Sequence, residues 1–221
     1  MTPDPHTVGV SEGSATPRAH DWRAGVAMRL GSLCLDGKGR LTDRLVASTA
    51  VRGALLVDLA LAGRLVETDD ALELDESPTG FPPADRLVQA IAAAPGRTLD
   101  GWLQERSVGL RDVAGELVGT GRWELRRGVS LRPRFLDLDD VRTRRDRAAG
   151  SDAGASPADV AVHALAGAVD LLGDADGPAP TGDAGAVTWV LTAVTEHLAW
   201  QVQRDRLAAA ALRAGATNPG A

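Results

Sequence analysis

One stretch in the first half of the chain constrains the fold more than any other. Residues 43–63 form a long apolar run that Thr42 or Asp43 can cap at its start and Gly63 can end. The second half of the run has no polar face, and a helix that is apolar all round belongs in the middle of a bundle. Arg52 and Asp58 lie inside the run, which argues against a membrane span. The stretch therefore predicts a central, buried core helix.

Arg52 is the unusual residue of this predicted helix. A buried guanidinium costs on the order of several kcal/mol of desolvation unless a partner offsets its charge. The partner can be a carboxylate such as Asp58, a set of backbone carbonyl groups, or an incoming anion. The sequence leaves both a structural partner and a ligand open.

Length and composition suit one sizeable domain or two small ones. The 221 residues are 44% apolar, which is enough to build a core. The opening segment is polar and does not resemble a signal peptide, and Cys34 is the single cysteine, which fits a reducing cytoplasm. We expect a cytoplasmic protein with a disordered tail at 1–21, a helical domain at 22–214 and a flexible end at 215–221.

The spacing of apolar residues predicts a mainly α fold, a single compact helical domain around the central buried helix with two small β-hairpins. Helices are predicted at 24–35, 84–94, 99–106, 109–119, 158–172 and 185–213. The hairpins are predicted to pair 65–68 with 71–75, and 122–127 with 129–134. Residues 137–149 are predicted to form a charged connector.

The sequence contains no pattern that demands catalysis. The four histidines have no cysteine or acid at metal-ligand spacing, so we expect no metal site. No nucleophile elbow, phosphate-binding loop or dinucleotide fingerprint is present. We therefore expect no catalytic residue and no cofactor, and a binding protein instead of an enzyme.

The second predicted hairpin is strongly basic. Arg122, Arg126 and Arg127 surround Trp123, and further arginines follow on the second strand. A basic strand pair with an amphipathic aromatic residue is typical of a membrane-surface or phosphate-binding edge. The alternative is a solvated edge whose charges prevent aggregation.

The same region also fits a winged helix, in which the helices at 99–106 and 109–119 precede a wing. A protein-interaction or DNA-associated regulator is therefore the alternative function. Helix 109–119 carries Arg111 beside Asp112 and Glu116, and the whole chain has a net charge of −6. Because phosphate contacts dominate DNA affinity, an acidic reading helix argues against nucleic acid as a partner.

Four motifs in order give the chain a family resemblance. They are VRGALLVDLALAGRL at 51–65, CLDGKG at 34–39, SPTG at 77–80, and LRDV at 110–113 with the leucine, valine and glycine at 117, 118 and 121. Together they resemble the Golgi phosphoprotein 3 family over residues 24–205. The resemblance implies a helical peripheral membrane protein that binds phosphatidylinositol 4-phosphate.

The family's headgroup pocket uses a tryptophan, the arginine of the signature helix, and two arginines three residues apart. Carried over, the resemblance assigns Arg52 and Arg111 to headgroup binding. The tryptophan position falls near Asp43, and the position three after Arg111 is Ala114, so two of the four ligands are replaced.

Arg44 and Arg122 are candidates to compensate for the two replaced ligands. The resemblance predicts an anionic phospholipid and a membrane surface as partners, with a cytoplasmic, peripherally membrane-associated location. Eukaryotic relatives retain glycosyltransferases through a basic N-terminal arm, but residues 1–21 hold only Arg18, so this role is not predicted. The composition looks more bacterial than eukaryotic, and no protein partner is specified.

Overall fold

The order of elements along the chain is given by a computed structural model that describes residues 20–42, 45–68, 72–94, 96–126, 133–148, 155–172 and 184–216. The described residues contain eight α-helices: α1 Val26–Leu33, α2 Leu45–Leu61, α3 Pro82–Ala92, α4 Leu99–Leu103, α5 Leu110–Gly119, α6 Asp140–Ala148, α7 Pro157–Ala168 and α8 Thr188–Ala216. Strands β1 Leu65–Glu67 and β2 Leu72–Leu74 pair antiparallel, as do β3 Trp123–Arg126 and β4 Arg134–Asp137. The mainly α fold with two small hairpins is confirmed.

Helix α2 is the centre of the core, as its sequence predicts. Leu55, Leu56 and Leu59 are completely buried. The helix packs against α1, α3, α4, α5, α7 and α8. No helix of the described residues is both long enough and apolar enough to cross a membrane.

Close packing between α2 and α8 depends on Gly53. A Cβ atom at this position would lie 2.3 Å from Cγ1 of Val194, which is itself fully buried. We expect Gly53→Ala to lower the free energy of unfolding by about 1–3 kcal/mol, because overpacking a close-packed core forces side chains or backbone to shift. Urea unfolding measures this change.

Gly115 is the matched control for this prediction. It lies inside α5, it is exposed, and no heavy atom lies within 4 Å of the position that an added methyl group would occupy. Gly115→Ala should raise stability by about 0.5–1 kcal/mol, because alanine loses less backbone entropy in a helix. Equal effects at the two glycines would contradict the packing argument.

The second hairpin has a different register from the one predicted. Strand β4 begins at Arg134, so the predicted strand at 129–134 was placed too early, and 129–132 lie outside the described residues. Trp123 opposes Asp137, and Leu125 opposes Phe135. Phe135 fixes this register, because its ring packs against Trp123 and its amide donates to Gly39 O at 2.7 Å.

The predicted charged connector at 137–149 is instead helix α6. The prediction was wrong because this segment lacks apolar periodicity, the main signal for a helix. Its helix signals are electrostatic: Asp140 lies in the first turn, Arg145 and Arg147 lie in the last, and Arg144 pairs with Asp140 one turn earlier.

The ends of the domain differ slightly from their predicted positions. His20 and Asp21, which were assigned to the tail, lie within the described residues and both accept or donate hydrogen bonds. Helix α8 continues to Ala216, two residues past the predicted boundary at 214. Residues 1–19 and 217–221 lie outside the described residues.

Candidate functional site

Arg52 is held by backbone carbonyl groups. Its side chain lies in the core, with the residue 3% exposed. Nε donates to the Val108 carbonyl at 3.0 Å, and Nη1 donates to the Leu103 carbonyl at the end of α4. Of the three kinds of partner that the sequence left open, the structure therefore contains carbonyl groups, and Asp58 is not one of its hydrogen-bond partners.

The charge of Arg52 is incompletely offset. Burial lowers the pKa of Arg52 to about 10, while nearby Glu105 acts in the opposite direction and nearby Arg106 lowers the pKa further. Carbonyl groups supply only partial negative charge, and Nη2 makes no hydrogen bond to the described residues. An anion beside Nη2 would therefore stabilise the charged form of Arg52.

Arg111 belongs to the same part of the molecule as Arg52. It lies exposed in the first turn of α5, three residues after the carbonyl that Arg52 binds. Gly109, which precedes α5, packs so closely on α2 that an added Cβ would lie 3.3 Å from Cβ of Ser48. The fold thus brings the start of α5 against the helix that carries Arg52.

Ala114, another headgroup candidate, is not part of this arrangement. Ala114 is 3% exposed and packs into the core, so its side chain does not line a surface site. Asp43 and Arg44 lie outside the described residues. Arg106, in the loop between α4 and α5, was missed by the sequence analysis, and its position beside Arg52 depends on the path of that loop.

Trp123 does not form the membrane-surface aromatic that the sequence suggested. It is 1% exposed and packs on Phe135, because it points to the inner face of the hairpin. Leu125, two residues further along β3, is 39% exposed. Among the described residues, Leu125, Leu136, Leu138 and Val141 are the large apolar side chains that this end of the molecule exposes to solvent.

The hairpin arginines have different environments. Arg122 is half-buried and contacts the fold, since Nη1 donates to the Arg23 carbonyl at 3.1 Å and Nη2 lies 3.4 Å from Asp139. Burial and the nearby Arg142 lower its pKa. Arg126 is exposed on β3, and Arg127 lies outside the described residues. Arg122 therefore has a structural role, whereas Arg126 faces solvent.

A comparison with protein-family models shows which family the chain belongs to. The family model described as Golgi phosphoprotein 3 (GPP34) matches residues 33–218. The chain belongs to the Golgi phosphoprotein 3 family. The matched region begins at the end of α1 and includes Arg52, Arg111 and both hairpins. A search of curated proteins gives no significant match.

Histidine, cysteine and acidic residues often form catalytic and metal sites, and the structure shows the surroundings of several of them in this family member. No group of three histidine, cysteine, aspartate or glutamate residues in the described ranges is arranged to hold a metal ion. Burial raises the pKa of the Cys34 thiol to about 12, which makes it a poor nucleophile. His197 contacts Asp100 at 3.1 Å in a link between α8 and α4.

Proposed function

We propose that this Golgi phosphoprotein 3 family member is a cytoplasmic, peripheral membrane protein that binds anionic phospholipid headgroups of the phosphatidylinositol 4-phosphate type. We propose a binding role and no catalytic one. The observation that carries the proposal is the buried Arg52 guanidinium, whose pKa is lowered and whose Nη2 group makes no hydrogen bond to the described residues.

A headgroup phosphate offers what the carbonyl partners of Arg52 do not, a full negative charge. Charge-assisted hydrogen bonds between a guanidinium and a phosphate are short and strong. Arg111 lies at the positive end of the α5 dipole, where an anion is also favoured. Arg106 adds a third positive charge near Arg52. These groups together support an anion site between α2 and the start of α5.

Arg111→Ala is expected to weaken binding to anionic vesicles about tenfold or more. The reason is that a hydrogen bond to a charged group contributes roughly 1.5–3 kcal/mol. Sedimentation with vesicles that contain phosphatidylinositol 4-phosphate measures the loss. Wild-type binding should weaken with salt and should require anionic lipid, since each basic residue near the surface contributes about 1 kcal/mol.

Arg213→Ala is the matched control, because Arg213 is an exposed arginine in the last turn of α8. It changes net charge equally and should leave binding nearly unchanged. Equal losses for Arg111→Ala and Arg213→Ala would show an unspecific effect of charge. Wild-type protein that binds duplex DNA but not anionic vesicles would replace the proposal with the DNA-associated alternative.

Arg52→Ala should also weaken vesicle binding, but it removes two hydrogen bonds to carbonyl groups in the core. A thermal melt must therefore accompany this variant. Loss of vesicle binding by a variant that still folds supports a contact between Arg52 and the headgroup. A folded Arg52→Ala protein with wild-type affinity contradicts that contact.

A further inference from the structure

A cavity lined by several basic residues lies away from Arg52 and Arg111. It has a volume of about 1050 Å³ and lies between the turn at 36–39, strand β4 and helix α6. None of Arg52, Arg106 or Arg111 lines it. We call it the basic cleft, because its basic residues are Lys38, Arg126, Arg134, Arg144 and Arg147.

Two of these arginines face each other across the hairpin. Arg126 and Arg134 are direct partners in the register of β3 and β4. Like charges directly opposite each other destabilise a strand pair. In the described residues, Arg126 pairs with Glu124, whose carboxylate lies 3.5 Å from Nε of Arg126, and both of these side chains are largely exposed. An anion bound between the two arginines would remove the repulsion.

Arg134 and Arg147 make no ion pair with a carboxylate of the described residues. No carboxylate of the described residues lies within 4.0 Å of either guanidinium. Arg147 is half-buried, so its unpaired charge carries a larger desolvation cost than that of an exposed arginine. Both side chains line the same cleft and are available to a ligand.

Most carboxylates that line the basic cleft already accept hydrogen bonds or form an ion pair within the protein. Asp36 accepts the amides of Lys38 and Arg40, both at 2.8 Å. Asp137 accepts a hydrogen bond from the Thr143 hydroxyl, and Asp140 pairs with Arg144 at 3.0 Å. Only Asp170 among the four acids of the cleft makes no hydrogen bond or ion pair through its carboxylate in the described residues.

An apolar groove adjoins the basic cleft. It has a volume of about 300 Å³, and Thr42, Asp170 and Leu171 line both cavities. Its walls come from the start of α2, the end of α7 and the C-terminal part of α8. Apolar side chains are the majority, and the charged residues Asp170, Asp205 and Arg206 also line it. The apolar residues include Val46, Ala47, Val169, Val202 and Ala209. A charged cavity and an apolar cavity thus share one boundary.

We propose that these adjoining cavities bind a single-chain phosphate-bearing lipid, with the phosphate at Arg134 and Arg147 and the hydrocarbon chain in the apolar groove. The two guanidinium groups, which make no ion pair with a carboxylate of the described residues, supply positive charge for a phosphate monoester. The groove removes apolar carbons from water, and this burial adds affinity. The site is separate from the headgroup site at Arg52 and Arg111, so either can fail without the other.

Titration calorimetry with a short-chain lysophosphatidic acid, kept below its micelle concentration, tests this proposal on the full chain. We expect saturable binding by the wild type, and about a tenfold loss of affinity in Arg134→Gln and in Arg147→Gln. Arg145→Gln is the matched control, because Arg145 is exposed on α6 and does not line the cleft. It should bind like the wild type.

The apolar half of the site has its own pair of variants. Ala209→Trp should fill the groove and weaken lysophosphatidic acid binding, whereas Ala208→Trp, at an exposed position outside the groove, should not. Neither residue lies in the core, so both variants should fold, and circular dichroism checks this. Inorganic pyrophosphate should bind more weakly than the lipid, because it lacks the chain.

Each of the following results would overturn the proposal. They are no binding of lysophosphatidic acid by the wild type, equal losses in Arg145→Gln and Arg147→Gln, equal losses in the two tryptophan variants, and equal affinity for pyrophosphate and the lipid. Arg111→Ala should keep lysophosphatidic acid binding. Loss of binding in that variant would indicate that the lipid binds at the headgroup site, and this result would also overturn the proposal.

Discussion

Replacing Arg29 with Met is expected to lower the free energy of unfolding by about 3–5 kcal/mol, because it leaves a buried carboxylate without its partner. Arg29 is 7% exposed and Asp146 is 4% exposed. Nε of Arg29 lies 3.2 Å from both carboxylate oxygens of Asp146, and Nη2 donates to Oδ1 at 2.7 Å. Nη2 also lies 2.8 Å from Asp159. The cluster joins α1, α6 and α7.

Two further variants separate the stranded charge from other effects of the substitution. The double variant Arg29→Met with Asp146→Leu removes both partners, so it should lose less stability than Arg29→Met alone. Arg144→Ala breaks an exposed pair with Asp140 on α6 and should cost about 0.5 kcal/mol or less. Urea unfolding at neutral pH measures all three. A loss below about 1 kcal/mol for Arg29→Met would contradict the argument.

The pH dependence of stability checks the same cluster. Burial alone would raise the pKa of Asp159, but hydrogen bonds from Ser156 and the contact with Arg29 outweigh it and hold the pKa below its ordinary value. A carboxyl with a lowered folded pKa contributes stability above its unfolded pKa and loses it as the pH falls through the folded pKa. The wild type should therefore lose this contribution below about pH 4, and Arg29→Met should show a smaller acid dependence.

Most helices could be predicted from the spacing of apolar residues. Structure that depends on electrostatic or long-range contacts could not be predicted in this way. Helix α2 was found because its apolar residues are continuous, and α5 and α8 were found because theirs recur at helical spacing. Helix α6 was missed because its only buried side chains in the described part are Thr143 and Asp146, which are polar. This segment lacks the amphipathic pattern of a helix that faces the core, so its charged residues were interpreted as a connector.

The candidate site was predictable only in part. The sequence identified Arg52 as a buried charge that needs a partner, but its partners are carbonyl groups of residues 103 and 108. A carbonyl has no signature in a sequence, and its position depends on the path of the loop between α4 and α5. Trp123 was assigned to a surface because alternation gives two faces of a strand without saying which one the core covers.

Asp58 makes a long-range contact that takes the place of a local helix cap. Helix α1 follows Gly25, which has no side chain to cap it. The carboxylate of Asp58, from the last turn of α2, accepts hydrogen bonds from the amides of Val26 at 2.8 Å and Ala27 at 2.9 Å. A Cβ at Gly25 would lie 2.8 Å from both of its oxygens, so the glycine leaves room for the carboxylate. Asp58 therefore caps α1 from another helix.

Asp58→Ala is expected to lower the free energy of unfolding by roughly 2–6 kcal/mol. The variant leaves two buried amides without acceptors, and each unsatisfied group costs about 1–3 kcal/mol. It also removes a negative charge from the positive end of the α1 dipole and the contact with His20 Nε2 at 3.1 Å. Urea unfolding measures the total loss, and hydrogen exchange at the Val26 and Ala27 amides locates it.

Asp58→Asn and Asp21→Ala are the controls for this expectation. Asparagine keeps one acceptor oxygen at nearly the same shape, so its loss should be intermediate. Asp21 caps the exposed turn Trp22–Ala24 through the amides of Arg23 and Ala24, so its replacement should cost about 1 kcal/mol. Faster exchange confined to Val26 and Ala27 in Asp58→Ala identifies the lost cap as the cause. Wild-type stability together with unchanged exchange at these two amides would show that Asp58 does not hold α1.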